Sequence, residues 1–426
     1  MKKFVALVLA VLMMASVLVA CGGGNKGGEA TKTDTPKGDT PAAETLDIED
    51  GAKLLVWSAD KAVDLTKKLC EDFKAAHADK NIEIEVQVQG EDAAATQLLK
   101  DPDAAADVFS FASDQLSRLL KADSLAPVFS AEDVIARNSE DSVTVATVDG
   151  ELMAFPETCD NGYCLIYDKS VVSDEQAKTL EGVLEACKAA GVKFVIDAGN
   201  GFYSCMFPFT GGLKIDGIKD DVQQFNDYNE DEVVATLKAF SDLFHKYSDI
   251  FMSSEDSRIN AGFQETPHTV GAGIDGPWNV TADLAALGDN FGAAKLPTIN
   301  VNGEDKQIIS LHGFKYIGVN AVSKYPYAAQ ALADFLTNKE SQVERAKAVA
   351  WAPSNEEALK DPAVTENAAL SAIFEQKQYS VLQSGIAETF WTPMGALGNY
   401  LWQESANDEA SIKAQLEKAI MLIKDE

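Results

Sequence analysis

Charged side chains follow two apolar runs of the sequence, at the points where strands are predicted to end. Asp60 and Lys61 come after the run at 53–57, and Asp114 comes after the run at 107–111. Ligands of open α/β sheets bind beyond the carboxyl ends of the strands. Carboxylate and ammonium groups at such an edge favour a site that hydrogen-bonds a polar ligand. The two aspartates could also act as acid and base in the cleavage of a glycoside.

The sequence lacks the motifs of metal, nucleotide and nucleophile chemistry. Its four histidines have no metal-ligand spacing, and it contains no P-loop, no dinucleotide fingerprint and no Gly-x-Ser-x-Gly. We therefore expect no metal and no other cofactor, and the missing motifs make an enzyme less expected without excluding one. A formal net charge of −31 repels phosphate backbones, so nucleic acid is not an expected partner.

The N-terminal part of the sequence indicates export and anchoring. Residues 1–20 combine a positively charged start with an apolar stretch too short to span a bilayer, which is typical of a secretory signal. The stretch ends in Leu-Val-Ala followed by Cys21, which resembles the bacterial lipobox, whose cysteine is lipidated. Residues 21–46 are rich in Gly, Thr, Pro and charged residues and predict a flexible tether. We expect lipid anchoring at the outer face of the cell membrane, in a Gram-positive envelope, and an ordinary secreted protein is the alternative.

Five further cysteines leave two states open. Their number is odd, and their spacing fits no zinc site. Cys159 could pair with Cys164, and Cys187 with Cys205. Alternatively, all five, including Cys70, are free thiols, because a chain of this length needs no disulfide to stabilise its core.

Strand and helix patterns alternate directly after the tether. The alternation at 82–88 places Ile82, Ile84, Val86 and Val88 on one face of a strand. This order predicts a parallel sheet covered by helices. The predicted elements are strand 53–57, helix 60–76, strand 82–88, helix 93–99 and strand 107–111.

The same two patterns continue through the rest of the chain. The helix predicted at 179–191 ends in a glycine, and the helix predicted at 233–247 has one apolar face. The other predicted strands are 150–156, 164–167, 193–196, 270–274 and 314–320, and the other predicted helices are 328–337, 341–349 and 412–423.

Several short segments, in order, resemble the solute-binding proteins of ABC sugar importers, and the maltose and maltodextrin group matches best. Each segment alone is weak evidence for the family, but the order and spacing of the segments together are specific. The resemblance covers nearly the whole chain after the tether. The segments are Lys53-Leu54-Leu55-Val56-Trp57 with Asp60-Lys61, Asp107-Val108-Phe109 with Asp114, Ala154-Phe155-Pro156, Leu165-Ile166-Tyr167-Asp168-Lys169, Gly276-Pro277-Trp278, Leu296-Pro297-Thr298, Gly318-Val319-Asn320-Ala321, Ala352-Pro353-Ser354-Asn355 and Phe390-Trp391.

The resemblance implies an α/β fold of the periplasmic-binding-protein-like type II class, in which a three-crossing hinge joins two α/β lobes. The ligand would lie between the lobes, and closure around it would be a hinge motion. The implied parts are an N-lobe of residues 47–159 and 316–360, a C-lobe of residues 160–315 and 361–426, and crossings near 158–163, 311–317 and 360–365.

The resemblance also implies a sugar site. A sugar ring presents hydroxyls at its rim, which hydrogen-bond to polar side chains, and C–H patches on its faces, which stack on aromatic rings. The implied hydroxyl contacts are Asp60, Lys61, Asp114, Asp160, Asn161 and Asn200, and the implied aromatic contacts are Phe111, Tyr163, Phe202, Trp278 and Trp391.

Four positions depart from the pattern of the maltose group. Gln115 and Gly395 replace arginines, Asn200 replaces a glutamate, and Thr392 replaces a tyrosine. These departures leave the exact sugar open. Trp351 and Trp402 match nothing in the family and are interpreted as packing residues.

The resemblance predicts a monomeric substrate-binding lipoprotein of an ABC importer, not an enzyme, that delivers an oligosaccharide to a membrane permease. Maltodextrin or another α-glucan fragment is the first candidate for the sugar. The alternatives are a binder of a different oligosaccharide or solute, a sensor partner of a two-component kinase, and a carbohydrate-active enzyme that uses carboxylates such as Asp60, Asp114 or Asp160.

Overall fold

A computed structural model describes residues 47–220, 222–403 and 408–425. The predicted signal, the predicted lipidation site Cys21 and the predicted tether lie outside the described residues. The strands are β1 (Lys53–Ser58), β2 (Glu83–Val88), β3 (Val108–Ala112), β4 (Thr147–Val148), β5 (Glu151–Leu152), β6 (Phe155–Thr158), β7 (Cys164–Asp168), β8 (Lys193–Ile196), β9 (Ile215–Lys219), β10 (Val222–Phe225), β11 (Phe251–Ser253), β12 (Val270–Asp275), β13 (Phe291–Ala294), β14 (Thr298–Val301), β15 (Glu304–Gln307), β16 (Ser310–His312), β17 (Lys315–Val319) and β18 (Ser380–Leu382).

Helices connect these strands, and each of the seven predicted helices lies within a few residues of an observed one. The observed helices are α1 (Val63–Ala76), α2 (Ala94–Leu98), α3 (Leu116–Lys121), α4 (Ala131–Arg137), α5 (Glu140–Ala146), α6 (Leu180–Ala190), α7 (Gly201–Ser204), α8 (Met206–Thr210), α9 (Glu230–Lys246), α10 (Ser257–Gln264), α11 (Val280–Leu287), α12 (Pro326–Leu336), α13 (Lys339–Val349), α14 (Pro362–Thr365), α15 (Ala368–Lys377), α16 (Trp391–Gln403) and α17 (Glu409–Asp425).

The first five-stranded sheet has the order β2-β1-β3-β17-β6. β1 is parallel to β2 and β3, as the sequence predicts, and β17 is antiparallel to both of its neighbours. Because β17 runs the opposite way, its first residue lies at the edge where β3 and β6 end. Lys315 accordingly pairs with Ala112 and Thr158.

The prediction for the last residue of β2 is wrong. Val88 is 56% exposed, although its place in the alternation predicted an inward side chain. β2 is the edge strand of its sheet and pairs only with β1, so its end is covered less than an inner strand would be.

The second five-stranded sheet has the order β11-β8-β12-β7-β13. β8 is parallel to β11 and β12, and β7 is antiparallel to β12 and β13. Every residue of β7 and β12 is buried, because helices cover both faces of the sheet.

Each sheet packs into a hydrophobic core of its own, so the described residues form two lobes. The chain passes between the sheets after β6, before β17 and again between α13 and α15. These passages lie at or next to the three predicted crossings. The exact lobe boundaries stay a prediction.

The boundaries of α6 follow from its capping residues. The Thr179 hydroxyl accepts a hydrogen bond from the amide of Gly182 at 3.1 Å, which satisfies one free donor of the first turn. Gly191 ends the helix with a φ of +71°, a conformation that favours glycine. The predicted end of this helix is therefore confirmed.

The five cysteines within the described residues are free thiols, and four of them are buried. The paired alternative for Cys159 with Cys164 and for Cys187 with Cys205 is therefore wrong. Burial raises the pKa of Cys70 and Cys187 to about 12, so these thiols stay protonated at neutral pH. No helix among residues 47–220, 222–403 and 408–425 has the length and apolar character that a bilayer crossing requires.

Candidate functional site

A cleft with a volume of about 530 Å³ lies where the strand ends of the two sheets face each other. Strand ends and the turns after them supply most of its walls. Its lining residues are Ala59, Asp60, Lys61, Gly90, Glu91, Asp92, Ala112, Asp114, Asn161, Asn200, Phe202, Tyr203, Asp256, Trp278, Lys315, Trp351, Gln383, Glu388 and Trp391.

The cleft brings together most of the residues that the resemblance implied. Those predicted residues are Asp60, Lys61, Asp114, Asn161, Asn200, Phe202, Trp278 and Trp391. A second groove, of about 480 Å³, lies at the opposite edge of the first sheet, around Lys53, Asp107 and Tyr325. The described residues that line this groove include none of the predicted ones.

Phe111 and Tyr163 lie in the hydrophobic cores instead of the cleft, which corrects their predicted role as aromatic contacts. Both are fully buried. Phe111 is in β3, a strand buried along its whole length, and its ring centre lies 5.7 Å from that of Tyr316. The Tyr163 ring lies 5.1 Å from the Tyr203 ring and 5.2 Å from the Phe202 ring. Tyr163 therefore supports a cleft residue from behind.

Asp160 is also buried away from the cleft, where it ties two crossings together. Its Oδ2 accepts a hydrogen bond from the amide of Ala352 at 2.5 Å, and the residue is 1% exposed. Burial raises the pKa of Asp160, and the positive charge of Lys315 opposes that shift. The predicted ligand contact is therefore corrected to a hinge contact, while the neighbouring Asn161 does line the cleft.

Trp278 is held rigidly in the short turn that follows β12. Its Nε1 donates a hydrogen bond to Asp256 Oδ2 at 2.8 Å, and Tyr203 donates to the same oxygen at 2.9 Å. The indole lies over Gly276, where a Cβ atom would be 2.1 Å from the ring. One turn thus presents a fixed, half-buried aromatic face to the cleft.

Trp391 and Phe202 reach the cleft because α16 and α7 pack with their backbones in contact. A Cβ at Gly201 would lie 2.1 Å from the carbonyl oxygen of Trp391, and one at Gly395 would lie 2.3 Å from that of Gly199. The departure at Gly395 therefore has a packing reason, since no side chain fits there.

The predicted contact Asn200 also positions its neighbour. Its Oδ1 accepts a hydrogen bond from the amide of Phe202 at 3.0 Å and caps the start of α7. The cap directs Phe202 towards Trp278, and the two ring centres are 6.2 Å apart. A glutamate would cap this turn less well.

Gln115, another of the departures, supports one wall of the cleft. Its Oε1 accepts from the amide of Ala95, and its Nε2 donates to the carbonyl of Glu91, both at 2.9 Å. The side chain is buried, so it shapes the loop that carries Glu91 and does not face the ligand space.

On the first-sheet side of the cleft, the carboxyl group of Asp114 has a raised pKa. Burial raises the pKa of Asp114 to about 7, and the charges of Glu388 and Asp92 shift it in the same direction. Its Oδ1 has no hydrogen-bond partner among the described residues. The group can therefore accept a hydrogen bond from a ligand hydroxyl or, when protonated, donate one.

We expect Asp114→Asn to gain stability relative to the parent as the pH rises from about 4 to 7. The unfolded aspartate ionises near pH 4, whereas the folded one keeps its proton up to about pH 7. Between these values the unfolded state binds fewer protons, so this group costs the parent stability as the pH rises, on the order of 1 kcal/mol per pH unit at most. Urea unfolding at pH 4 and 7.5 measures the difference.

The exposed Asp103 provides the matched control for this pH experiment. Asp103→Asn should differ from the parent by the same free energy of unfolding at both pH values. A constant difference for Asp114→Asn as well would contradict the burial-raised pKa.

Several lining residues escaped the sequence-based prediction. Trp351 packs against Ala59 and Ala62, as predicted, and its buried ring also borders the cleft beside Lys315. The signal that would identify Lys315 as a cleft residue is the antiparallel direction of β17. No local sequence pattern shows that direction. The other missed charged or amide residues are Glu91, Asp92, Asp256, Gln383 and Glu388.

The cleft can bind a polar ligand with flat, partly apolar faces. Carboxylates, amides and two lysines offer hydrogen bonds around its walls, and tryptophans offer stacking surfaces. Among the described parts of the chain, no group of three or more His, Cys, Asp or Glu side chains is arranged to hold a metal ion.

A family model of bacterial extracellular solute-binding proteins matches residues 68–372. The chain is also 28% identical, over 326 residues, to the galactooligosaccharide-binding protein of Bacillus subtilis (strain 168). That match covers 74% of this chain and 75% of the relative.

Solved structures share the fold over most of the chain. One determined with acarbose has a TM-score of 0.78 at 29% identity, covering 88% of this chain and 99% of that one. The maltodextrin-binding protein of L. casei BL23, solved without ligand, has a TM-score of 0.72 at 23% identity, covering 88% and 100%. These likenesses extend over both five-stranded sheets.

Proposed function

Because the chain belongs to the family of bacterial extracellular solute-binding proteins, we propose that it captures an oligosaccharide between its two lobes and delivers it to the permease of an ABC importer. It acts by binding and release, without catalysis. A ligand that touches both lobes favours the closed state over the open one. The permease then distinguishes the closed form from the open form.

The composition of the cleft carries this proposal. Trp278 is fixed by Asp256 and Gly276, and Trp391 is the first residue of α16. Carboxylates and lysines from the first-sheet side face these rings across the same space. This combination suits pyranose rings, which stack by their faces and hydrogen-bond by their rims.

The relatives support an oligosaccharide as the ligand class. One is described as a galactooligosaccharide-binding protein, and a solved structure at 29% identity contains acarbose. An α-glucan fragment such as maltotriose is our first candidate, and a galactooligosaccharide is the second. Of the four departures, at Gln115, Asn200, Thr392 and Gly395, Asn200 lines the cleft and is the position where these two sugars would be distinguished.

Anchoring belongs to the same proposal. Lipidation at Cys21 after removal of residues 1–20 would hold the protein at the outer membrane face as a monomer, with residues 21–46 as the tether. We keep residues 47–159 and 316–360 as the proposed N-lobe, and 160–315 and 361–426 as the proposed C-lobe.

Isothermal titration calorimetry with maltotriose and galactotriose tests the proposed ligand class. We expect one-site binding of at least one of the two trisaccharides. The proposal would be refuted if neither trisaccharide, and no member of a wider panel of oligosaccharides, gave any heat of binding.

Incubation with starch fragments tests the carbohydrate-active enzyme. It should yield no new reducing ends, and their appearance would favour that enzyme instead.

A further inference from the structure

A buried lysine lies at the floor of the cleft. Lys315, the first residue of β17, is 5% exposed and lines the ligand space. Lysine is almost never buried to this extent unless its charge is compensated. Neighbouring groups must therefore hold this ammonium in place.

An aromatic ring and a carboxylate surround the Lys315 ammonium. Nζ lies 3.6 Å from the centre of the Trp351 ring and 3.2 Å from Glu91 Oε1. The centre of the Trp278 ring is 5.8 Å from the same nitrogen. Cation–π attraction is strongest for tryptophan and increases when the cation is desolvated. The ammonium is thus fixed between Trp351 and Glu91, beside the proposed stacking surface.

The ammonium of Lys315 forms an ion pair with Glu91 but donates no well-aligned hydrogen bond to any described residue. Glu91 Oε1 accepts no hydrogen bond from any described residue, so its contact with Lys315 is electrostatic. No other acceptor within residues 47–220, 222–403 and 408–425 takes a hydrogen bond from Nζ. An ammonium has three donors and no acceptor. A ligand in the cleft would meet a fixed cation with free donors.

We propose that Lys315 donates a hydrogen bond to a hydroxyl of the sugar ring that stacks on Trp278, and that Trp351 and Glu91 position its ammonium. This inference rests on the proposed function and adds a specificity-determining residue to it. Glu91 offsets the charge of Lys315, so the subsite fits an uncharged hydroxyl and disfavours the carboxylate of an acidic sugar. The ring that occupies this place is thereby selected by one of its hydroxyls.

The test uses Lys315→Met, which keeps the length of the side chain and removes its charge. The probe is whichever trisaccharide the parent binds, maltotriose or galactotriose, together with its monodeoxy derivatives. Because a hydrogen bond from a charged donor is lost, we expect Kd to rise roughly tenfold or more. The parent should discriminate against one monodeoxy derivative by a similar factor, and the variant should no longer do so.

Lys295→Met is the matched control, since Lys295 Nζ lies 5.4 Å from the centre of the Tyr379 ring and donates to Gln307, away from the cleft. It should bind like the parent. If Lys315→Met does not fold, Lys315→Arg takes its place in the test. This variant keeps the charge but displaces the donors, so it should also lose discrimination between the derivatives.

Each outcome decides the proposal. Unchanged affinity in folded Lys315→Met would overturn it. Equal weakening for every derivative, with discrimination kept, would overturn it too, because Lys315 would then act on packing alone. A parent that binds no sugar would instead refute the proposed function, and the sugar subsite with it.

Discussion

We expect Arg345→Met to lower the free energy of unfolding by about 3–5 kcal/mol, the cost of removing one partner of a buried ion pair. Arg345 Nε lies 3.1 Å from Glu157 Oε1, and the two side chains are 2% and 5% exposed. Ser110 donates to the other carboxylate oxygen at 2.5 Å. The variant would leave the Glu157 charge buried and uncompensated. Guanidinium unfolding of parent and variant measures the loss.

Two further variants make the Arg345 experiment specific. The double variant Arg345→Met with Glu157→Gln removes both charges and should recover most of the stability, because a matched uncharged pair often performs as well as a buried ion pair. Lys360→Met, which breaks the exposed pair with Glu357, should leave the unfolding midpoint nearly unchanged. A loss in Arg345→Met no larger than in Lys360→Met would contradict the buried-pair account.

We expect Trp278→Ala to weaken oligosaccharide binding by about 1–3 kcal/mol, roughly 5- to 150-fold in Kd, as for a central aromatic anchor. The indole supplies the stacking face that is held over Gly276 by its hydrogen bond to Asp256. Asp256 keeps the Tyr203 hydroxyl as a donor in the variant, so the fold should tolerate the change. Calorimetry with the bound trisaccharide measures the effect.

Trp402→Ala is the matched control for Trp278→Ala. Trp402 donates to Asn399 and packs on Phe251, outside the cleft, so its loss should lower stability and leave Kd unchanged. Gly276→Ala places a Cβ against the Trp278 ring and should weaken binding by less than Trp278→Ala does. Equal Kd values for the parent and Trp278→Ala would remove this tryptophan from the site.

The α/β class of the fold could be predicted because its local patterns are strong. Three local patterns correspond to observed elements. The alternation at 82–88 is β2, the predicted glycine ends α6, and the predicted strand at 270–274 is β12, which is buried throughout. The family resemblance then supplied the two-lobed arrangement, and the solved structures share the fold. What local patterns could not indicate was the direction of β17, because an apolar run is alike in parallel and antiparallel strands.

The errors at the candidate site have a common physical origin. Phe111 and Tyr163 are aromatic residues next to strand ends, as stacking residues are, but their side chains point into the cores. Trp351 is a packing residue as predicted, but the sequence does not show that its ring also lies against Lys315 at the cleft. Which face a side chain takes depends on tertiary packing, and a single residue's type does not determine it.

The crystal structure of the protein with its tightest-binding trisaccharide tests the central claim most directly. We predict a pyranose ring stacked on the Trp278 indole, with hydroxyls hydrogen-bonded to Asp60, Lys61 or Asp114 and with contacts to both lobes. A trisaccharide bound outside this cleft, or inside it without contact to Trp278, would contradict the account.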